Sequence, residues 1–117
     1  MRRTVVIVDD HPGFRASVWT LLDHEGFEVV GVAANGAQAI EEVGRLRPDV
    51  VLLDVQLPDI DGFAVADRLA ADANGPAVVL ISSRDAVTYG ARLLAAPARG
   101  FIAKRNLSGE ALSALLP

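Results

Sequence analysis

The sequence predicts an α/β domain built on a parallel β-sheet, and three observations lead to this fold class. Five short apolar segments alternate with five segments of helical spacing along the 117 residues, as in a parallel sheet covered by helices. The apolar segments that precede aspartates are continuous, which is typical of strands buried on both faces. Residues 5–8 run directly into Asp9 and Asp10, and residues 50–53 run into Asp54.

The strands and the first helix follow from the pattern of apolar residues. Strands are predicted at residues 4–8, 28–32, 50–53, 77–81 and 100–103. The first helix carries four apolar residues at helical spacing on one face, namely Phe14, Val18, Leu21 and Leu22. Gly26 is suited to end this helix.

Capping residues place the second and third helices. The second is predicted at Gly36–Leu46, where Asn35 is a good N-cap and Gln38 completes a variant of the capping box. Pro48 prevents this helix from continuing. The third helix begins after Asp61, which we expect to cap the preceding loop together with its neighbour Asp59.

The last two helices differ in the strength of their signals. The fourth, at residues 85–95, is the weakest, because Gly90 lies in its middle and its neighbours are mediocre helix formers. We expect it to be short or mobile. The fifth begins at Ser108 as N-cap, where Leu107 and Leu112 are placed for a hydrophobic staple.

The composition limits the possible classes of protein. Hydrophobic residues make up 51% of the chain and aromatic residues 5%, so the predicted core is aliphatic. The length suits one domain, residues 1–117, and the absence of cysteine excludes disulfides and thiol chemistry. No signal peptide fits and no apolar stretch could span a membrane, so we expect a soluble cytoplasmic protein. A net charge of −4 without a basic cluster argues against direct nucleic-acid binding.

The aspartates at the strand ends form the first candidate site. The carboxyl ends of parallel strands meet at one edge of the sheet, where open α/β sheets bind ligands, so we expect Asp9, Asp10 and Asp54 to lie together. Crowded carboxylates repel each other unless a cation joins them. A hard divalent ion with oxygen ligands fits this set, most simply Mg²⁺, with Mn²⁺ as the alternative. An Asp-Asp pair alone would be a solvated turn; the second acid-ended strand favours a metal site.

Two further polar residues follow predicted strands. Ser82 comes directly after residues 77–81, and Lys104 comes directly after residues 100–103. Taken singly, Ser82 would more often be a helix cap and Lys104 a surface lysine. Together with the acids they supply a nucleophile, metal ligands, a hydroxyl donor and an ammonium group. This set suits phosphoryl transfer onto Asp54.

Four blocks in fixed order and spacing carry a family resemblance. They are Val8-Asp9-Asp10-His11-Pro12, residues 52–62 around Asp54, Ile81-Ser82-Ser83, and Gly100-Phe101-Ile102-Ala103-Lys104. Over essentially its whole length the chain resembles the receiver domain of two-component response regulators, the CheY-like family. This implies a flavodoxin-like three-layer fold with five helices and a five-stranded parallel sheet in the order 2-1-3-4-5. The His11-Pro12 pair is most similar to receivers of LuxR/NarL-type transcription regulators.

The resemblance implies a separate role for each acid. Asp54 would be the phosphoacceptor. Asp10 and Asp54 would bind Mg²⁺ directly, and Asp9 would do so largely through water. The backbone carbonyl of Gln56 would complete the protein ligands. The phosphoryl donor would be a phosphohistidine on a sensor histidine kinase or a phosphotransfer protein.

The resemblance also implies a switch. Ser82 would bond a phosphoryl oxygen, and Phe101 would be the aromatic ring that turns inward when Ser82 moves. Lys104 would pair with the phosphoryl group, or with Asp54 before phosphorylation. The response would appear on the face formed by the fourth helix, fifth strand and fifth helix. That face would control an output domain or a partner protein, with a homodimer through it as an alternative.

Several positions depart from the family pattern or flank the site. Phe101 lacks the hydroxyl that many relatives carry. Pro97 stands where related sequences usually have glycine, and because proline cannot adopt positive φ, the loop before the fifth strand must take another path. Gln56 and Arg84 flank the site, and positions like these tune how fast water removes the phosphoryl group in this family.

Two other functions are left open by the residues. A Mg²⁺-dependent phosphohydrolase would also use an aspartyl-phosphate, but haloacid-dehalogenase-like enzymes need a second Asp where this chain has Gln56. A degenerate receiver used for docking would have lost the acids or Lys104, and all are present. A receiver standing alone would act on another protein, whereas one cut from a longer regulator would control a DNA-binding output.

Overall fold

The computed structural model describes residues 2–117 and contains one five-stranded parallel sheet. Its strands lie in the order β2-β1-β3-β4-β5, which confirms the predicted fold class and topology. The strands are β1 (Arg3–Val8), β2 (Phe27–Ala33), β3 (Val50–Asp54), β4 (Ala77–Ser82) and β5 (Gly100–Ala103).

Five α-helices cover the two faces of the sheet. They are α1 (Pro12–His24), α2 (Gly36–Leu46), α3 (Gly62–Ala70), α4 (Ala91–Ala95) and α5 (Gly109–Ala114). Helices α1 and α5 pack on one face, where Leu22 and Leu112 are fully buried. The other helices pack on the opposite face against alternate residues of the same strands, including Val6 and Val8 of β1.

The strand register brings the ends of β1, β3, β4 and β5 to one edge. Val8 of β1 pairs with Leu53 of β3, so the residues that follow them, Asp9 and Asp54, become neighbours. Ser82 at the end of β4 pairs with Ala103 of β5, which places Lys104 one residue further along that edge. The parallel pairing of these strands therefore brings together, in one site, residues that follow different strands in the sequence.

The helix starts confirm the predicted caps at three positions and show an additional cap at a fourth. The side chains of Asn35 and Ser108 accept hydrogen bonds from the backbone in the first turns of α2 and α5. Asp61 caps α3 as predicted. Asp59 is exposed in the loop before α3, and its carboxylate also accepts from the backbone N–H groups of Gly36 and Ala37, at 2.7 and 2.9 Å, so it caps α2 across space as well.

The fourth helix is short, as expected from its sequence. A 3₁₀ turn at Ala86–Thr88 precedes a five-residue α4, and Gly90 separates them at φ +54. This left-handed conformation favours glycine, so the residue that weakens the helix also shapes the break. Further on, the N–H of Ala98 bonds the carbonyl of Ala96 at 2.8 Å, which turns the chain tightly around Pro97 without glycine.

Candidate phosphoryl-transfer site

Three aspartates and a histidine meet at the carboxyl edge of β1 and β3. Ligand atoms of Asp9, Asp10, His11 and Asp54 all lie within 4.8 Å of one another. Asp9 and Asp54 are buried, whereas Asp10 is exposed at the rim. The structure thus confirms that the three acids lie together, as predicted. Carboxylate oxygens that converge in this way are a donor set suited to Mg²⁺.

His11 contributes to the same cluster through its ring. Its Nδ1 lies 2.9 Å from an oxygen of Asp9 and 3.0 Å from an oxygen of Asp10. The backbone N–H of His11 also donates to Asp9 at 2.8 Å. His11 precedes Pro12, the first residue of α1, and makes no side-chain cap. It therefore starts the helix beside the site, as expected from the sequence.

Lys104 is the cation that joins the two buried acids. Its Nζ lies 2.5 Å from Asp9 and 3.1 Å from Asp54. The ammonium group also lies 4.4 Å from the centre of the Phe14 ring, and the side chain is only 15% exposed. The family resemblance implies the contact with Asp54. It does not imply the shorter contact with Asp9, since that depends on how the lysine side chain extends along the sheet edge from the end of β5 to the end of β1.

The two buried acids have opposite pKa shifts. Burial raises the pKa of Asp54 to about 6, and the backbone N–H of Gln56 and the charge of Lys104 only partly oppose this. Burial also acts on Asp9, but hydrogen bonds from Lys104 and His11 outweigh it and hold the pKa of Asp9 below its ordinary value. The pKa of Lys104 is raised, because both acids outweigh the effect of its burial. Asp9 is therefore the better stabilised partner of Lys104, and Asp54 is the less stable anion.

This asymmetry predicts how an Asp54→Asn substitution changes metal-free stability. The pKa of Asp54 is raised from 3.8 to about 6, so keeping it charged at neutral pH costs about 2–3 kcal/mol of folding free energy. We expect Asp54→Asn to be more stable than wild type by roughly that amount at about pH 7. The difference should shrink as the pH falls below about 6, since Asp54 then takes a proton in the folded protein.

Urea denaturation with EDTA at several pH values measures this difference. Asp67→Asn, which changes an exposed carboxylate of α3, is the matched control and should follow wild type. A gap between Asp54→Asn and wild type that widens towards acid pH would contradict the raised pKa of Asp54.

A glycine lets the loop after Asp54 return tightly to the strand. A Cβ at Gly62 would lie 2.3 Å from the backbone oxygen of Asp54 and 2.7 Å from the Cα of Val55, so any side chain there collides with backbone. The N–H of Gly62 bonds the carbonyl of Val55 at 2.9 Å. The start of α3 is thereby packed directly beneath the candidate site.

The other predicted site residues lie around the cluster. Gln56 is exposed, and its backbone N–H donates to Asp54 at 3.0 Å. Ser82 is fully buried at the end of β4, and its Oγ accepts from the backbone N–H of Arg84 at 3.0 Å. The side chain of Arg84 is exposed. Phe101 is half-buried on β5, as expected.

Tyr89 is a site residue that the sequence analysis missed. Its phenol oxygen lies 2.6 Å from the Ser82 Oγ. Its ring lies between Phe63 and Phe101, with centroid distances of 5.8 and 6.0 Å. A signal was present, since Tyr89 is the single tyrosine of the chain and lies in the weak segment that follows Ser82. The pattern alone could not place the ring against that hydroxyl.

Comparisons with known proteins agree with this geometry. The response regulator receiver domain family matches residues 5–116. The chain belongs to this family. The signal receiver domain of NarL from Mycobacterium tuberculosis is 34% identical, with a TM-score of 0.84, and the match covers 97% of this chain and 96% of that domain. The resemblance to NarL-type receivers is therefore confirmed.

Curated relatives of this receiver are longer proteins. The DNA-binding transcriptional activator EvgA of Escherichia coli is 28% identical over 94% of the chain, which spans 54% of EvgA. A protein-glutamate methylesterase/protein-glutamine glutaminase of Alkalilimnicola ehrlichii is 40% identical over 94% of the chain, which spans 29% of that enzyme. Receivers like this one thus occur in proteins with different additional regions. None of the helices within residues 2–117 is both long and apolar enough to cross a membrane.

Proposed function

We propose that this receiver accepts a phosphoryl group on Asp54 from a phosphohistidine of a sensor kinase or phosphotransfer protein. The observation that carries the proposal is the position of Asp54. It is a buried carboxylate at the end of β3, bonded to Lys104 at 3.1 Å and clustered with Asp9 and Asp10. Such a set places a nucleophile beside positive charge that can receive a phosphoryl group.

The residues of the chain have separate tasks in the transfer. An oxygen of Asp54 forms a bond to phosphorus as the P–N bond to the donor histidine breaks, and the electron pair of that bond stays on the histidine nitrogen. Lys104 stays near the transferred oxygens and neutralises their charge. Ser82 donates its hydroxyl hydrogen to one of them. The raised pKa of Asp54 makes its carboxylate a stronger base and nucleophile at neutral pH.

Asp9, Asp10, Asp54 and the backbone carbonyl of Gln56 would hold Mg²⁺, or Mn²⁺, in this proposal. The convergence of the three carboxylates supports it, since oxygen ligands of high charge are what these ions prefer. When bound, the ion neutralises negative charge on the phosphoryl oxygens. Gln56 and Arg84 flank the entrance and would tune access of water to the acyl phosphate.

The response would appear on the face formed by α4, β5 and α5. Two large apolar side chains of the described residues are exposed on and beside α4, namely Leu94 at 91% and Val87 at 86%. Apolar side chains that are exposed together on one face are what a protein-binding surface needs. The partner in this proposal is an output region, a second protein or a second copy of the receiver. The receiver would act in the cytoplasm as a single domain, residues 1–117, without itself binding nucleic acid.

The proposed function is tested by incubating the protein with acetyl phosphate and measuring its intact mass. A phosphate adduct should form with Mg²⁺ and be absent with EDTA. The adduct should amount to one phosphate per protein, whereas a phosphohydrolase would release phosphate over many turnovers. Failure of wild type to gain phosphate mass with Mg²⁺ and either acetyl phosphate or a phosphohistidine donor would overturn the proposal.

The two neighbouring acids should differ in their effect on metal binding. Asp9 is fully buried and already forms an ion pair with Lys104 at 2.5 Å, whereas Asp10 is exposed and makes no contact with the lysine. We therefore expect Asp10→Asn to weaken Mg²⁺ affinity more than Asp9→Asn does. Isothermal titration calorimetry with MgCl₂ measures both affinities, with Asp67→Asn as control. Clearly weaker binding by Asp9→Asn than by Asp10→Asn would reverse the ranking.

A further inference from the structure

The hydroxyl of Ser82 is occupied by Tyr89 in this structure. The two oxygens are 2.6 Å apart, which is a short hydrogen bond between neutral hydroxyl groups. Tyr89 comes from the loop between β4 and α4, not from β5, where Phe101 lies. Because Phe101 has no hydroxyl, it cannot replace this bond.

Hydrogen-bond satisfaction identifies the donor of the bond. Ser82 has one hydroxyl hydrogen and two lone pairs, and the N–H of Arg84 already donates to its oxygen at 3.0 Å. Ser82 is fully buried, and within residues 2–117 its oxygen bonds only Arg84 and Tyr89. If Tyr89 were the donor, the buried hydrogen of Ser82 would have no acceptor, which is unfavourable. Ser82 therefore donates, and Tyr89, which is only half-buried, accepts.

We propose that Tyr89 is a latch on Ser82 that phosphorylation opens. The single hydroxyl hydrogen of Ser82 cannot be donated to Tyr89 and to a phosphoryl oxygen at the same time. The bond to Tyr89 belongs to the unphosphorylated receiver, and its loss is the first structural consequence of phosphorylation. In this chain Tyr89, rather than Phe101, is the aromatic residue that senses Ser82. The inference rests on the proposed phosphorylation of Asp54.

The surroundings of Tyr89 allow its release to reach the surface. Tyr89 is followed by Gly90, whose positive φ marks a break before α4, and no heavy atom lies within 4 Å of a Cβ built there. Arg92 then ties α4 to α3 by a 2.5 Å bond to Asp61 and by stacking over Phe63 at 4.3 Å. Once the bond to Ser82 breaks, the segment is held by these contacts, by the neighbouring rings and by the exposed ion pair of Arg105 with Asp85. The exposed face that bears Val87 is therefore the part free to respond.

The single tyrosine gives a direct spectroscopic test. Protein labelled with ¹³C at the tyrosine ζ carbon has one resonance, which reports the hydrogen bond of Tyr89. Ser82→Ala should shift this resonance, and Ser83→Ala, which changes the exposed neighbour, should not. Adding beryllofluoride and Mg²⁺ to wild type should move the resonance towards its position in Ser82→Ala.

The two proposals fail in different ways in this experiment. Binding of beryllofluoride to Asp54 is followed separately by ¹⁹F NMR. If bound fluoride appears and the Tyr89 resonance does not move, the latch is wrong and the phosphoacceptor role of Asp54 stands. If no bound fluoride appears, and acetyl phosphate adds no mass, the phosphoacceptor role and the latch are both overturned.

Removing only the phenol oxygen measures the strength of the latch. Tyr89→Phe frees the hydroxyl hydrogen of Ser82. The apparent affinity of this variant for beryllofluoride should therefore be about two- to tenfold higher than that of wild type, which is the factor expected from the net free energy of one hydrogen bond. In the Ser82→Ala background the same substitution should have no effect, because the bond is already absent. Unchanged or weaker beryllofluoride binding by Tyr89→Phe would overturn the proposal. That result would mean that Tyr89 does not compete for the hydroxyl hydrogen of Ser82.

Discussion

Asp54→Asn is expected to abolish the phosphate adduct formed with acetyl phosphate and Mg²⁺. The amide cannot serve as the nucleophile, and neither neighbouring acid is placed as Asp54 is, since Asp10 lies exposed at the rim. Asp9 is fully buried, and Lys104 lies 2.5 Å from its carboxylate. Intact mass spectrometry should show full labelling of wild type and none of the variant. Because Asp54→Asn is expected to be stable without metal, its loss of labelling cannot be attributed to unfolding.

Two controls show whether Asp54 itself carries the phosphate. Asp67→Asn removes an exposed carboxylate of α3 and should label like wild type. Peptide mapping of labelled wild type should place the phosphate on the peptide that contains Asp54. Undiminished labelling of Asp54→Asn, or labelling that moves to the exposed carboxylate of Asp10, would show that another acid is the acceptor.

Much of this site can be predicted because residues that follow neighbouring parallel strands lie close together at one edge of the sheet. Each predicted polar residue ends or follows an apolar run, and the pairing of Val8 with Leu53 and of Ser82 with Ala103 places those ends on one edge. The strands themselves are predictable almost to their bounds, since these aliphatic runs are too short for buried helices and are rich in β-branched residues. The structure extends β3 and β4 by one residue each, so that Asp54 and Ser82 close their strands.

What sequence reasoning misses depends on side chains that cross between elements. The sequence assigns Asp59 to the loop before α3, yet this residue caps α2 across space. It marks Tyr89 only as a poor helix former, although the ring packs between Phe63 and Phe101 and reaches Ser82. Periodicity describes which face of an element is apolar. It carries no information on which polar atom of one element meets which atom of another.

The free energy of unfolding of the protein should depend strongly on Lys104, because this residue lies between the buried acids. It is the single lysine among 11 Lys and Arg residues, and it pairs with both buried carboxylates. Lys104→Met leaves Asp9 and Asp54 buried without their cation, and removing one partner of a buried pair costs about 3–5 kcal/mol. We expect a loss of about 3 kcal/mol without metal at neutral pH, together with a large loss of acetyl phosphate labelling.

The pH dependence of this loss has a definite sign. The pKa of Asp9 is lowered in the folded protein, so its pairing with Lys104 contributes stability above about pH 4, and this contribution disappears as Asp9 takes a proton at lower pH. The gap between Lys104→Met and wild type should therefore be large at neutral pH and shrink in acid. Urea denaturation with EDTA measures the gap.

A matched control separates Lys104 from surface cations. Arg105 is the next residue, exposed and paired with exposed Asp85, so Arg105→Met should change stability by no more than about 1 kcal/mol. Added Mg²⁺ should recover part of the stability of Lys104→Met, because a divalent ion also neutralises the acid cluster. Equal stability of Lys104→Met and wild type at neutral pH without metal would mean that the two buried acids do not depend on this lysine.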